Sequence, residues 1–166
     1  CLQPPCGVET EYTETAEEMR RALATQADWF DGLIMCAAVS DFRPAAPDPG
    51  KIKRTESDQV LRLCPTRDLL AEIAHRSSPG RAIVGFALEP EDRLTDNAAA
   101  KLKNKKLDMI VANSFSTIAS ERITGMFLYP DQEAENFDNL EKKDFADIIV
   151  RKTEQIFTGK QARHES

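Results

Sequence analysis

Two groups of basic residues have the spacing that phosphate binding requires. Lys51, Lys53 and Arg54 follow a loop rich in proline and glycine. Lys101 and Lys105 are four residues apart on a predicted helix, so both project from the same helix face. Two ammonium groups at that spacing can donate hydrogen bonds to one phosphate. The alternative is a solvated helix end, where lysines interact favourably with the helix dipole.

Polar residues also follow each of three predicted buried strands. Ser40, Asp41 and Arg43 follow the first strand, Glu89 follows the second, and Asn113 follows the third. In open parallel sheets, ligands bind outside the carboxyl ends of the strands, so these side chains are candidates for a ligand site. The alternative is that they are ordinary loop residues, which are mostly polar. Thr66 precedes a predicted helix, whose first N–H groups would favour an anion there.

The composition excludes several classes of function. The chain has 166 residues, enough for about one domain, and a net charge of −6. A negative chain does not suit general binding to nucleic acid or to an anionic membrane. Glycine-rich phosphate motifs are missing, and the four cysteines lack metal-ligand spacing. We therefore expect no nucleic-acid partner, no membrane partner, no metal held by protein side chains, and a reducing cytoplasmic location.

The hydrophobic periodicity predicts the elements that position these residues. Helices are predicted over 15–29, 67–76, 92–103 and 145–156, and continuous apolar strands over 33–39, 82–88, 107–112 and 126–129. Segments 51–54 and 60–63 alternate polar and apolar residues and are predicted to pair as a hairpin. Four residues are predicted helix caps: Thr15, Thr66, Asp92 and, at the carboxyl end of the last helix, Gly159. Cys36 lies inside the first strand and is predicted to be a core residue.

The order of these elements predicts the fold class. A helix and a strand are followed by the hairpin, and then by further alternating helices and strands. This order favours an α/β protein with a three-layer, Rossmann-like fold: an open, mostly parallel sheet, helices on both faces, and a small hairpin flap. We predict one domain over residues 1–166.

Five ordered segments carry a resemblance to a known family. They are AAVSDFRP at 37–44, KIKR at 51–54, PTRDLL at 65–70, VGFALE at 84–89, and AKLKNKKLDMIVAN at 100–113. Each segment is short, but their order over residues 32–114 is specific. Together they resemble bacterial phosphopantothenate–cysteine ligase, the synthetase half of the bifunctional coenzyme A biosynthesis protein.

The resemblance implies a reaction and its cofactors. The family uses CTP to activate the carboxylate of 4′-phosphopantothenate as an acyl-cytidylate, and pyrophosphate is released. The amine of cysteine then attacks, and CMP is released. Mg²⁺ would bind through the triphosphate rather than through protein ligands. Because relatives that use ATP lack an element like KIKR, this chain resembles the branch that uses CTP.

The resemblance also implies roles for particular residues. Lys51 would be a catalytic residue on a mobile flap that also contacts CTP, while Lys101 and Lys105 would hold the triphosphate. Six further residues would contact the nucleotide: Asp41, Thr66, Arg67, Asp68, Leu69 and Phe86.

The partners implied are the three small-molecule substrates, a second copy of the chain in a homodimer, and a fused or separate decarboxylase domain. The family opens with a glycine-rich turn and an asparagine-containing segment that have no counterpart here. We therefore expect the chain to begin within the domain and to lack part of the acyl site. This departure leaves a second hypothesis, a degenerate ligase fold kept as a non-catalytic interaction or oligomerisation module. A third hypothesis is a different nucleotide-dependent Rossmann-like enzyme.

Overall fold

The computed structural model describes residues 4–48, 50–78, 80–118 and 120–164. The elements in chain order are α1 (Ala16–Gln26), β1 (Gly32–Met35), β2 (Phe42–Pro44), β3 (Leu63–Pro65), α2 (Leu69–Arg76), β4 (Ala82–Glu89), α3 (Leu94–Asn104), β5 (Met109–Ser114), β6 (Arg122–Leu128), β7 (Glu135–Glu141) and α4 (Lys142–His164). Short 3₁₀ turns cover Glu91–Arg93 and Phe115–Thr117. Within the described ranges, every helix is too short or too polar to cross a bilayer.

Five strands form the main sheet, in the order β1-β4-β5-β6-β7. β1 pairs parallel with β4, and β4 pairs parallel with β5, whereas β6 and β7 add to the edge as antiparallel strands. Most residues of β4 and β5 are buried, as their continuous apolar runs predict for strands covered on both faces. The predicted α/β class with a mostly parallel sheet is confirmed.

Helices cover both faces of this sheet. On one face, side chains of α1, α2 and α3 pack over the sheet, with Leu70, Ala98 and Leu102 among the buried residues. On the other face, α4 places Phe145 and Ile149 against the sheet. This arrangement has the three layers that the sequence predicts.

The edge strand β7 is missing from the sequence prediction. Phe137 is its buried residue, and most of the others are exposed. Because β7 has so little apolar surface, the usual strand signal is absent. Its position depends on pairing with β6 and on Phe137, whose ring centroid lies 4.7 Å from that of Phe127. Tertiary pairing therefore decides this element.

The predicted hairpin exists, but different segments form it. β2 pairs antiparallel with β3, so that Phe42 lies opposite Pro65. Residues 51–54 and 60–62 belong to the loop between these strands. The pairing is continued on both sides by main-chain hydrogen bonds, from the N–H of Thr66 to the oxygen of Asp41 and from the N–H of Ala45 to the oxygen of Arg62. These bonds fix the register near the sheet and leave the intervening loop exposed.

Two predicted helix starts differ from the structure. The capping box of Thr15 is confirmed, but Asp68 rather than Thr66 caps α2, because its carboxylate accepts a hydrogen bond from the N–H of Ala71. Asp92 lies in a 3₁₀ turn before α3 and does not cap that helix.

Two further predictions fail at the ends of elements. α4 continues to His164, so Gly159 lies inside the helix and is not its C-cap. β1 ends at Met35, so Cys36 is exposed and is not a core residue. In both cases the element ends several residues away from the position that the sequence predicts, because packing of the chain decides where it ends.

Replacement of glycine by alanine is expected to have opposite effects at Gly125 and Gly159. A methyl carbon at Gly125 would lie 2.2 Å from the carbonyl oxygen of Ala112, which is backbone and cannot move aside. Gly125→Ala should lower the free energy of unfolding by about 1–3 kcal/mol. At Gly159 the methyl group meets nothing within 4 Å, so Gly159→Ala should raise it by about 0.5–1 kcal/mol. Urea unfolding followed by circular dichroism measures both; changes of the same sign would contradict the difference in packing between the two sites.

Candidate functional site

Two adjoining cavities lie at the carboxyl end of β1, and the smaller one also contacts Phe86 in the second half of β4. The larger cavity has a volume of about 780 Å³ and lies among the start of α1, the exit of β1, the strand β2 and the entry to α2. The smaller cavity, of about 150 Å³, extends toward β4 and the end of α3. Residues that line both cavities include Ser40, Thr66 and Arg67. Because they share these walls, the two cavities form one cleft.

Seven of the nine residues predicted to contact the nucleotide line the smaller cavity. They are Asp41, Thr66, Arg67, Asp68, Leu69, Phe86 and Lys105. Lys51 lies in the exposed loop between β2 and β3, and Lys101 does not line either cavity. The structure thus brings together residues from four separate segments of the chain. Their roles toward a nucleotide remain predictions.

The parallel pairing of β1 and β4 explains this convergence. Met35, the last residue of β1, lies opposite Gly85 in β4, so the chain leaves β1 beside Phe86. The hydrogen bond from the N–H of Thr66 to the oxygen of Asp41, 2.8 Å long, then joins the exit of β1 to the entry of α2. Three chain segments therefore meet at one edge of the sheet.

Asp68 connects the start of α2 to the end of α3. One of its carboxylate oxygens accepts the N–H of Ala71, at 3.0 Å, and the other lies 2.9 Å from Nζ of Lys105. Burial opposes ionisation of Asp68, but the hydrogen bonds from Lys105 and Ala71 prevail and lower its pKa. The side chain of Lys105 is 26% exposed. Its ammonium group is therefore fixed at the cavity wall.

Lys101 has a separate carboxylate partner. Its Nζ lies 2.5 Å from Oε1 of Glu89, the last residue of β4, and Asn97 donates to Oε2 at 2.8 Å. The hydrogen bond from Lys101 lowers the pKa of Glu89 against the opposing effect of burial. The sequence predicts that Lys101 and Lys105 converge on one anion; in the structure each lysine pairs with a different carboxylate. No role was predicted for Asn97, although its spacing of four residues from Lys101 places both on one helix face.

The larger cavity contains two basic residues, Arg20 and Arg43, that the resemblance does not name as nucleotide contacts. Arg43, on β2, lines it together with Arg67. Arg20 also lines it, but its guanidinium is bonded to Glu17 at 2.8 Å and to Glu72 at 3.2 Å. The position of Arg43 in the AAVSDFRP segment was the signal that could have identified it. Guanidinium groups and hydroxyl groups at one cleft suit an anionic, polar ligand.

The carboxylates that the structure describes around the cleft do not cluster as a set of metal ligands. In the part of the chain that the structure describes, no three His, Cys, Asp and Glu side chains come together in a group that could hold a metal ion. Asp41 and Asp68 line the smaller cavity, and Glu14 and Glu17 line the larger one, where Glu17 is bonded to Arg20. A Mg²⁺ ion in this cleft would therefore take most of its oxygen ligands from a bound phosphate chain and from water.

Comparisons with known proteins relate this geometry to a family. The chain is 44% identical over 100 residues to a cysteine/cysteine sulfinic acid decarboxylase from an unknown prokaryotic organism, covering 60% of this chain and 28% of that protein. It is 39% identical over 122 residues to the coenzyme A biosynthesis bifunctional protein CoaBC of Mycobacterium tuberculosis, covering 68% of this chain and 29% of that protein. The chain thus spans less than a third of the length of either relative.

A solved structure shows the same fold. The crystal structure of the C-terminal domain of a CoaBC protein superposes with a TM-score of 0.75 and 26% identity, over 95% of this chain and 70% of that one. The family model of the DNA/pantothenate metabolism flavoprotein C-terminal domain matches residues 1–157. This match covers both cavities and every strand of the sheet, and the chain therefore belongs to that family.

Proposed function

We propose that this chain is a phosphopantothenate–cysteine ligase domain that uses CTP in coenzyme A biosynthesis. The main support for the proposal is that one cavity of the cleft is lined by seven residues that the resemblance predicts to contact the nucleotide. The similarity to CoaBC, whose name includes coenzyme A biosynthesis, supports the same function. The proposal includes Mg²⁺ carried by the triphosphate, a cytoplasmic location, a homodimer, and a decarboxylase domain as a fused or separate partner.

The proposed reaction has two steps. A carboxylate oxygen of 4′-phosphopantothenate attacks the α-phosphorus of CTP, and pyrophosphate leaves with the electrons of the broken P–O bond. The amine of cysteine then attacks the acyl carbon, loses a proton to solvent, and CMP leaves. Negative charge grows on the phosphate chain in the first step, so positioned cations are the main catalytic requirement. No enzyme nucleophile is needed.

The residues of the cleft match this requirement. Lys105 is fixed at the wall of the smaller cavity, and Arg67 lines both cavities. Phe86 offers an apolar ring in the smaller cavity, which Asp41 also lines. We propose that the phosphate chain lies near the two cations and that the nucleoside lies near the aromatic ring.

Lys51 would act from the loop that joins β2 to β3. Phe42, Arg43 and Pro47 at the beginning of that region line the larger cavity, so the loop leaves from the cleft itself. Movement of the loop over the cleft would bring Lys51 to the phosphates and would exclude water from the acyl-cytidylate, a mixed anhydride that water hydrolyses.

Pyrophosphate release in the presence of CTP, 4′-phosphopantothenate and Mg²⁺ tests the proposed function directly. We expect release with CTP that exceeds release with ATP in the complete product of its gene, and we expect this chain to bind CTP more tightly than ATP. Binding of CTP and of ATP, measured by isothermal titration calorimetry, is the matched comparison. Failure of both proteins to bind CTP or to release pyrophosphate would contradict the proposal and would favour a non-catalytic module.

Lys51→Gln is expected to affect turnover more than binding. Since Lys51 reaches the nucleotide only when the loop closes, CTP binding should change little. Loss of its charge in the transition state should lower the rate of pyrophosphate release on the order of 100-fold. Calorimetry and steady-state kinetics on the same protein measure both quantities, and equal losses in both would exclude this role.

Lys105→Ala is expected to weaken CTP binding by about tenfold or more, because a hydrogen bond to a charged group contributes about 1.5–3 kcal/mol. Lys103→Ala is the matched control, since Lys103 is exposed on the same helix two residues away and faces another direction. Both variants change the net charge equally. Comparable CTP affinities in the two variants would show that general charge, and not the position of Lys105, determines binding.

A further inference from the structure

Glu89 is a shielded carboxylate at the carboxyl edge of the sheet. Its side chain is only 12% exposed, at the last position of β4. Both oxygens are occupied by groups of α3: Oε1 by the ammonium of Lys101 and Oε2 by the amide of Asn97. With two donors from one helix, the carboxylate has a single orientation.

Lys101 remains able to bind a ligand while Glu89 holds it. A lysine ammonium has three N–H donors, and the contact with Glu89 uses one of them. The side chain of Lys101 is 42% exposed, so its other donors have access to solvent. Lys105 lies one helical turn further on the same face and lines the smaller cavity. Lys101 itself lines neither cavity, but it is held one helical turn from Lys105, with N–H donors that remain open to solvent.

Packing of α3 does not depend on this cluster. Leu94, Ala98 and Leu102 of α3 are buried against the sheet and hold the helix by apolar contact. An ion pair with one partner as exposed as Lys101 contributes little to stability. The hydrogen bonds from Lys101 and Asn97 offset the desolvation of Glu89, but its negative charge reduces the positive charge near an anion site. Orientation of Lys101 is a benefit that offsets this cost.

We propose that Glu89, supported by Asn97, is a positioning residue that orients the ammonium of Lys101 toward the phosphate chain of the nucleotide. This inference rests on the proposed ligase function. The positioning role of Glu89 predicts a kinetic effect that a purely structural role does not. The charge of Glu89 opposes binding of the anionic nucleotide, whereas its hydrogen bond improves the geometry of catalysis. Removal of that charge should therefore lower kcat without raising KM for CTP.

Glu89→Gln is the test, because glutamine keeps the size of the side chain and removes its charge. In pyrophosphate release by the complete gene product, kcat should fall on the order of tenfold to 100-fold, as expected for a misplaced catalytic group. KM for CTP should stay the same or fall. Glu135→Gln is the matched control: Glu135 pairs with Lys152 at 2.6 Å, on a different strand and helix, and its loss changes the net charge equally. That control should leave both constants unchanged.

A second readout is independent of turnover. Acetylation of Lys101 by acetic anhydride, followed by mass spectrometry, should be faster in Glu89→Gln than in the wild type, because the ammonium group is no longer held against the Glu89 carboxylate. Mg²⁺ with CTP should protect Lys101 in the wild type.

Two kinetic results would overturn the inference: a rise in KM with unchanged kcat, and unchanged kinetics with a lower free energy of unfolding. If the wild type releases no pyrophosphate, the ligase proposal itself fails. If the wild type is active and Glu89→Gln equals it, only the positioning role fails.

Discussion

The parallel pairing of β1, β4 and β5 governs where every other part of the cleft lies. Parallel strands share a direction, so the segments that leave them emerge at one edge of the sheet. Glu89 lies opposite Ser114, so the exits of β4 and β5 are level, whereas Met35 lies opposite Gly85, so the chain leaves β1 four residues earlier, beside β4. The cleft, the hairpin and the starts of α2 and α3 all lie at this edge as a consequence.

The packing of α2 and α3 against the sheet brings the ammonium group of Lys105 to the cleft. α2 and α3 cover the same face of the sheet. A side chain added at Gly85 would lie 2.8 Å from Leu70 on α2 and from Leu107 after α3, so the absence of a side chain there lets both segments approach β4 closely. This close approach allows Lys105 to reach Asp68.

Charge pairing explains how a chain with a net charge of −6 can offer an anion site. Lys101 and Lys105 are each held by a carboxylate from a different element, so their positions are fixed but their charges are largely balanced. Attraction of an anion then depends on local donors and on a cation carried by the ligand, rather than on an extended basic surface. Arg43 and Arg67 in the adjoining cavity add positive charge to the same cleft.

Local sequence was enough to predict the α/β class, the capping box of Thr15 and the strands β4 and β5, because periodicity and capping chemistry are encoded by adjacent residues. It also identified the segments whose residues line the smaller cavity. Long-range packing was needed to establish the strands of the hairpin, the edge strand β7 and the carboxylate partner of each lysine. Glu89 and Lys101 are twelve residues apart, and Asp68 and Lys105 lie at the ends of different helices. Such contacts depend on the close approach of elements distant in the chain, which no local pattern records.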